Sequence, residues 1–488
     1  MIGDKDLISI QQARILAENA AEAQARLAAM PQEALDAMVE AMADAAAAEA
    51  QSLAVMSHEE SGCGVWQDKM AKNLFACRRV SQSMRGMRCV GRLPQSNDRQ
   101  QGDASQGFFE VGVPMGVIAA LCPCTNPVST AICNVLTAVK AGNAVVVCAH
   151  PHAVQCTSRV VAVMAAAARA HGLPEGAVAC LDMVADSGIE ELMRHRSVAL
   201  ILVTGRQSML AAARRCGKPF VYGGMGNGPA FVEATADVLK AVDDILASKS
   251  FDNGLAPSAE QCVIVDGKIE PQVRRAFEAG GGCFVSEAQA QALGAAMFHP
   301  DGRRNRATLG QSASVLAEKA GIAVPKDTRV LLVERRYVDA ADPFIRELLA
   351  PVLTYYVEPD WRHACEKCLE LLLREGRAQT MTIHSRDERI ILQFALKKPV
   401  ARMLVNTPAA FGGMGLTTDL FPSMTQGSGL AGHGFSPDNI SPMNLIYRRK
   451  VGYGVRDFAY SDQQHNRTDQ LSDALRRVLR KALNELNR

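Results

Sequence analysis

From about Ile10 to Ser83 the chain is rich in Ala, Glu, Gln and Met, and its apolar positions recur at helical spacing. Consecutive amphipathic helices are expected there. After a polar segment, Leu93 to Gly107, the pattern changes to a near-continuous apolar run from Phe108 to Leu121, which ends in a Pro/Asn loop. A strand buried on both faces of a parallel sheet reads this way. A helix is expected from about Ser129 to Ala141, broken by Gly142-Asn143, and a second buried strand from Ala144 to Cys148. Strand, loop, helix and strand make a βαβ unit. The alternation continues with a helix from about Val154 to His171, a strand over Ala177 to Met183 and a helix near Ile189 to Arg194. A strand at Ala199 to Gly205 and a helix from about Gln207 to Cys216 follow. This predicts a doubly wound sheet that takes its ligand at the carboxyl ends of the strands. A second α/β pattern reaches about Pro422, with strands near Val330–Val333, Val352–Val357 and Ala401–Asn406 and helices near Trp361–Arg374 and Asp387–Lys397.

The tail is different. Ser461 to Gln470 is a polar linker. Behind it Leu471, Leu475, Val478, Leu479, Ala482, Leu483 and Leu486 fall on one face of a helix with basic residues opposite.

At 488 residues the chain is long enough for two or three well-buried domains. Hydrophobic residues at 48 %, charged residues at 21 % and a net charge of +2 describe a globular protein with no electrostatic footprint for nucleic acid. There is no run of about 18 apolar residues, so no membrane span is expected. The start, MIGDKDLISI, lacks the basic and apolar regions of a secretory signal. Fourteen cysteines without small-domain spacing read as reduced thiols, and a cytoplasmic setting is expected. Cys365 and Cys368 are spaced CxxC but lack a second ligand pair, so no metal site is expected.

Candidate chemistry sits in loops. No GxGxxG fingerprint opens a helix, but Thr204-Gly205-Arg206 stands at a strand end before a helix N-terminus, where backbone N–H groups can hold a phosphate. The stretch Ser248 to Asp266 runs from a helix end through a tight Asn253-Gly254 turn and a small-residue loop into the strand-like Gln261–Val265. A scaffold presents a reactive side chain in such a loop.

That stretch resembles the nucleophile loop of the aldehyde dehydrogenase superfamily, most closely its CoA-acylating branch. Phe251-Asp252-Asn253-Gly254 and Glu260-Gln261 match on both sides with no change of length. Further matches follow in order at Glu60–Gly64 with Asp68-Lys69 and Lys72-Asn73, at Thr125-Asn126-Pro127, at Thr204-Gly205 and at Gly226-Asn227. Glu347 of the Glu-x-x-x-Pro motif, Asn406-Thr407-Pro408, Gly412–Gly415, Gly427-Ser428-Gly429 and Pro437–Ile440 complete the set. The resemblance extends from about Glu60 to Gly454. It also covers the aldehyde dehydrogenase half of the long bifunctional aldehyde–alcohol dehydrogenases, without any iron-dependent half.

The resemblance implies an α/β fold of two doubly wound domains with a β oligomerisation segment. A nucleotide-binding Rossmann-like domain with N-terminal helices would cover 1–235 and a catalytic domain 236–422. A return and oligomerisation segment would cover 423–460, and the linker with its amphipathic helix 461–488. It implies NAD or NADP as cofactor, held by Thr125, His150, Thr204, Gly205, Gly224, Gly226 and Glu347, and coenzyme A as acyl acceptor. The hydrolytic branch carries a base for the deacylating water where Gly223 stands, and its absence leaves the acyl group for a thiol. A homodimer or tetramer is implied. The tail helix resembles peptides that carry some relatives into bacterial microcompartments, so a shell or a paralogue is an expected partner, with an oligomer contact the plainer reading.

In the family a cysteine thiolate attacks the aldehyde, and the oxyanion is held by that residue's own N–H and by an Asn, here Asn126. The cysteine position is Pro257, which has neither a thiol nor an N–H. Two outcomes are open. In one, the chain is a short-aldehyde dehydrogenase whose attack comes from another residue, with Ser258 and Cys124 the candidates. In the other, it is a pseudoenzyme that keeps fold and ligand binding.

Overall fold

The computed structural model describes residues 4–94, 108–205, 207–374, 379–454 and 462–486. The chain divides into two compact units, Met1–Gly91 with Gly112–Arg448, and Arg92–Val111 with Arg449–Arg488. In the larger unit the expected N-terminal helices are Lys5–Leu27, Gln32–Ala48, Ala50–Ser61 and Trp66–Leu74. Asp4 caps the first by accepting from the N–H groups of Asp6 and Leu7. Its small face, with Ala13, Ala17, Ala20 and Ala23 fully buried, lets it pack closely.

Two parallel sheets form the core of this unit. The first has five strands in the order Val178–Leu181, Val145–Cys148, Val117–Leu121, Val198–Thr204 and Phe220–Gly223. The second has seven, in the order Gly282–Val285, Val330–Glu334, Val352–Glu358, Glu260–Asp266, Gly228–Val232, Thr380–His384 and Arg402–Val405. Strands covered on both faces bury every residue, which is why Val145–Cys148, and Gln261–Val265 within Glu260–Asp266, read as strands.

One run that looks continuous is not. Phe108–Leu121 splits into Phe108–Pro114 and Val117–Leu121, and only the second joins the five-stranded sheet. Pro114 cannot donate to a ladder, and Gly116 turns the chain at φ +125° with its N–H on Asn143 Oδ1 at 2.9 Å. The glycine-rich stretch 220–232 likewise serves both sheets, ending one at Gly223 and entering the other at Gly228, ahead of residue 235. Helices Glu270–Ala279 and Glu287–Met297 and strands Gly282–Val285 and Thr380–His384 went unread in the sequence. Consecutive glycines at 280–282 look like a loop, and the polar residues of Thr380–His384 hide a strand that is buried throughout.

In the smaller unit the Phe109 ring lies 6.0 Å from that of Tyr453 and beneath the Arg92 guanidinium. Its last element is helix Asp462–Leu486, on which Leu471, Leu475, Val478, Leu479 and Leu483 are all exposed. Part of the expected linker, and Arg206 of the phosphate-holding motif, lie outside the described residues. Among the described residues no helix is long and apolar enough to cross a membrane.

Candidate active site

The site grows from a left-handed turn. Helix Val238–Ser250 ends at Phe251, and Asp252, Asn253 and Gly254 then take φ of 48°, 53° and 73°. Such a conformation costs an ordinary L-residue roughly 1–2 kcal/mol, and Asp, Asn and Gly tolerate it best. Side-chain bonds hold it in place. The buried Asp252 carboxylate accepts from Val65 N at 2.6 Å, from Lys69 Nζ at 3.3 Å and from Lys72 Nζ. Its own N–H donates to Asp68 Oδ2 at 2.7 Å, and Asn253 Nδ2 donates to the Gly310 carbonyl at 2.8 Å.

Lys72 links this turn to Asn126, donating to Asn126 Oδ1 as well. That fixes which end of the amide faces inward: Nδ2 lies 3.2 Å from Thr125 Oγ1 and 3.5 Å from the Leu255 carbonyl. Burial pushes the Lys72 ammonium below its ordinary range, and Asp252 opposes the shift. Asn126 opens helix Pro127–Lys140 without capping it, which leaves its side chain to the site.

Beyond the turn, Leu255, Ala256 and Pro257 line one cavity of about 180 Å³. Pro257 is half-buried while Ala256 and Ser258 beside it are buried. A Cβ on Gly226 would stand 1.7 Å from the Pro257 carbonyl oxygen, so only glycine admits this approach. The Gly226 N–H donates to Glu347 Oε1 at 2.8 Å.

The same cavity collects Thr125, Asn126, His150, Thr204, Gly205, Gly224 and Glu347. Thr204 Oγ1 is 2.8 Å from Thr425 Oγ1, and His150 Nδ1 accepts from His152 N at 3.1 Å. Gly226 supports the wall from behind. Ser258 does not line the cavity: it is buried, its Oγ donating to the Ala410 carbonyl at 3.4 Å and accepting from Gln426 Nε2 at 3.5 Å. Cys124 does line the cavity, with its thiol pushed up by burial.

Several site residues escaped the sequence reading. Met225, Met414, Met424, Gln379 and Gln426 line the cavity, and no local pattern distinguishes them. Behind the loop, burial pushes the Glu260 carboxyl up to about 7 and the Lys249 amine down to about 7. Glu260 accepts from Ala409 N at 2.9 Å, while Lys249 donates to Gln261 Oε1 at 3.2 Å. Thr130 Oγ1 and Gln426 Oε1 are buried without a hydrogen-bond partner, and both residues line the cavity. A ligand that donates to Gln426 Oε1 and bonds the Thr130 hydroxyl would satisfy both, so the lining has room for polar groups of a nucleotide or an acyl thioester.

The two doubly wound parallel sheets share one cavity, lined from both by Asn126, Thr204, Pro257 and Glu347. The model of the aldehyde dehydrogenase family matches residues 2–280, and the chain belongs to that family. It is 34 % identical over 409 residues to an aldehyde-alcohol dehydrogenase of Streptococcus pneumoniae, covering 82 % of this chain and 46 % of that one. The chain thus spans about half the length of the curated relatives it matches first. Among solved structures, a probable aldehyde dehydrogenase from Listeria monocytogenes superposes with a TM-score of 0.90 at 43 % identity, over 93 % of this chain and 99 % of that one. An acetylating aldehyde dehydrogenase from Geobacillus thermoglucosidasius also gives 0.90, at 36 % identity over 94 % and 100 %. The fold is the aldehyde dehydrogenase fold.

Proposed function

We propose that this protein binds a nicotinamide dinucleotide and coenzyme A in the manner of the CoA-acylating branch, and that Pro257 halts the covalent step. Its role is then that of a ligand-binding partner with little or no aldehyde turnover. The observation that carries this reading is Pro257 in the cavity wall beside a complete supporting set. Bound nicotinamide supplies the hydride acceptor of the family reaction, and coenzyme A the acyl acceptor.

What the chain supplies is positioning. Thr204, Gly205, Gly223 and Gly224 leave room at the carboxyl edge of the five-stranded sheet, where a dinucleotide lies in doubly wound folds. Glu347 is held in place by Gly226 N. Lys72 keeps Asn126 Nδ2 turned to where an oxyanion would form. Proline removes the second oxyanion donor along with the thiol, and losing one such donor alone slows reactions about 100- to 1000-fold. The gap is one of chemistry, since the loop around it keeps its bonds.

The test pairs the parent with Pro257→Cys. Each receives short aldehydes, coenzyme A and NAD or NADP, and nucleotide binding is followed by calorimetry. We expect both to bind nucleotide, the parent to be silent, and the variant to reduce nicotinamide at least about 100-fold faster. Turnover by the parent that disappears in Cys124→Ala would overturn the proposal and move the attack to that thiol.

A further inference from the structure

Away from the cavity, among the helices that pack on the seven-stranded sheet, an amine and a thiol lie in direct contact. Cys365 sits on helix Trp361–Arg374, and Lys398 follows helix Glu388–Lys397. Lys398 Nζ donates to the Cys365 carbonyl oxygen at 2.6 Å and stands 2.8 Å from its Sγ. It also lies 4.8 Å from the centre of the Phe394 ring. Cys365 and Lys398 are only 6 % and 7 % exposed, and Cys365 packs in a cluster with Cys368, Leu372 and Phe394. A lysine normally snorkels its charged head to water. This one points inward, anchored by a helix carbonyl, with its nitrogen against sulfur at a separation that one oxygen atom can span. No redox or catalytic task of the cavity uses either residue.

We propose that Cys365 and Lys398 form an oxidative crosslink in which one oxygen bridges sulfur and nitrogen, with hydrogen peroxide as the oxidant. The first peroxide transfers an oxygen to the thiol, its O–O bond breaking to give a sulfenic acid and one water. The Lys398 nitrogen then bonds to that oxygen. The sulfenic O–H and one N–H are lost as the second peroxide is reduced to two waters. Thiol, amine and two peroxides thus become an S–O–NH bridge and three waters, a four-electron oxidation of the pair that excess dithiol reverses. Peroxide is close to water in size, and the slight exposure of both residues gives it a path. The carbonyl bond on Nζ holds the amine in place, so it traps the sulfenic acid before solvent or a second thiol does. The bridge ties helix Trp361–Arg374 to the segment entering edge strand Arg402–Val405 across 33 residues of sequence.

The experiment treats the full chain with hydrogen peroxide and maps its peptides without reductant. The Cys365 and Lys398 peptides are expected as one linked species, heavier than their sum by about 14 Da, one oxygen gained and two hydrogens lost. Dithiothreitol should separate them. Lys398→Met should abolish the linked species and expose Cys365 to a sulfenic-acid probe, and Cys365→Ser should abolish it as an independent check. Recovery of Cys365 from the unsubstituted chain only as unlinked sulfenic or sulfinic acid, or in a disulfide with Cys368, would overturn the assignment.

Discussion

Replacing Asp252 by Asn isolates what one buried charge contributes to the loop that carries Pro257. Asn tolerates the φ of 48° as well as Asp does, so backbone strain is held constant. The carboxylate is fully buried, and its partners Lys69 and Lys72 are only 3 % and 2 % exposed. An amide in its place turns an NH₂ toward at least one ammonium and leaves positive charge uncompensated. Removing one partner of a buried ion pair typically costs about 3–5 kcal/mol. The bond from Val65 N can persist to the amide oxygen, which retains about 1 kcal/mol. The expected loss is about 2–4 kcal/mol, read as a lower urea midpoint at unchanged slope. Adding Lys72→Met removes the stranded charge, so the double variant should be more stable than the sum of singles by at least about 1 kcal/mol. A loss below about 1 kcal/mol in Asp252→Asn, or strict additivity in the double variant, would refute the account of Asp252 as the loop's organiser.

A methyl group at Gly226 meets the Pro257 carbonyl oxygen at 1.7 Å, so Gly226→Ala must displace the loop or the crossover. Overpacking of this kind costs about 1–3 kcal/mol, and nucleotide affinity should fall roughly tenfold or more as Glu347 loses its anchor. Unchanged binding by calorimetry would contradict the close approach. His384 tests the acid side. Burial, helped by Lys240, pushes its imidazole from 6.5 down to about 4. The unfolded chain then binds more protons between those values, so this group's stabilisation is complete above 6.5 and is lost as pH falls through about 4. In His384→Gln the fall in urea midpoint across that window should shrink, and an unaltered pH profile would argue against it.

Much of the fold was legible because its signals are local. A strand buried on both faces is apolar throughout, so Ala144–Cys148 and Ala199–Gly205 announced themselves, and Gly142-Asn143 marked a helix end. The turn at Asn253-Gly254 was legible because left-handed backbone favours Asn and Gly, and the structure extends it back to Asp252. Legibility failed where a neighbour distant in sequence decided. Nothing within Phe108–Leu121 says that its halves enter different sheets, since the bond from Gly116 N goes to Asn143.

The sequence by itself determined the family, the alternation of strands and helices from Val117 to Arg215, and the absence of a thiol at Pro257. These follow from residue type and spacing along one stretch of chain. Only the tertiary structure decided which side chains share the cavity. It left Ser258 buried off the wall, bonded to the Ala410 carbonyl, and put Cys124 on it, because side-chain surroundings depend on the loop's path through the fold. It also joined Lys72 to Asn126 and Asp252, 54 and 180 residues away. A lysine on an amphipathic helix looks like a solvated charge. It becomes part of a site only when folding removes the water around it and leaves Asp252 and Asn126 as its partners.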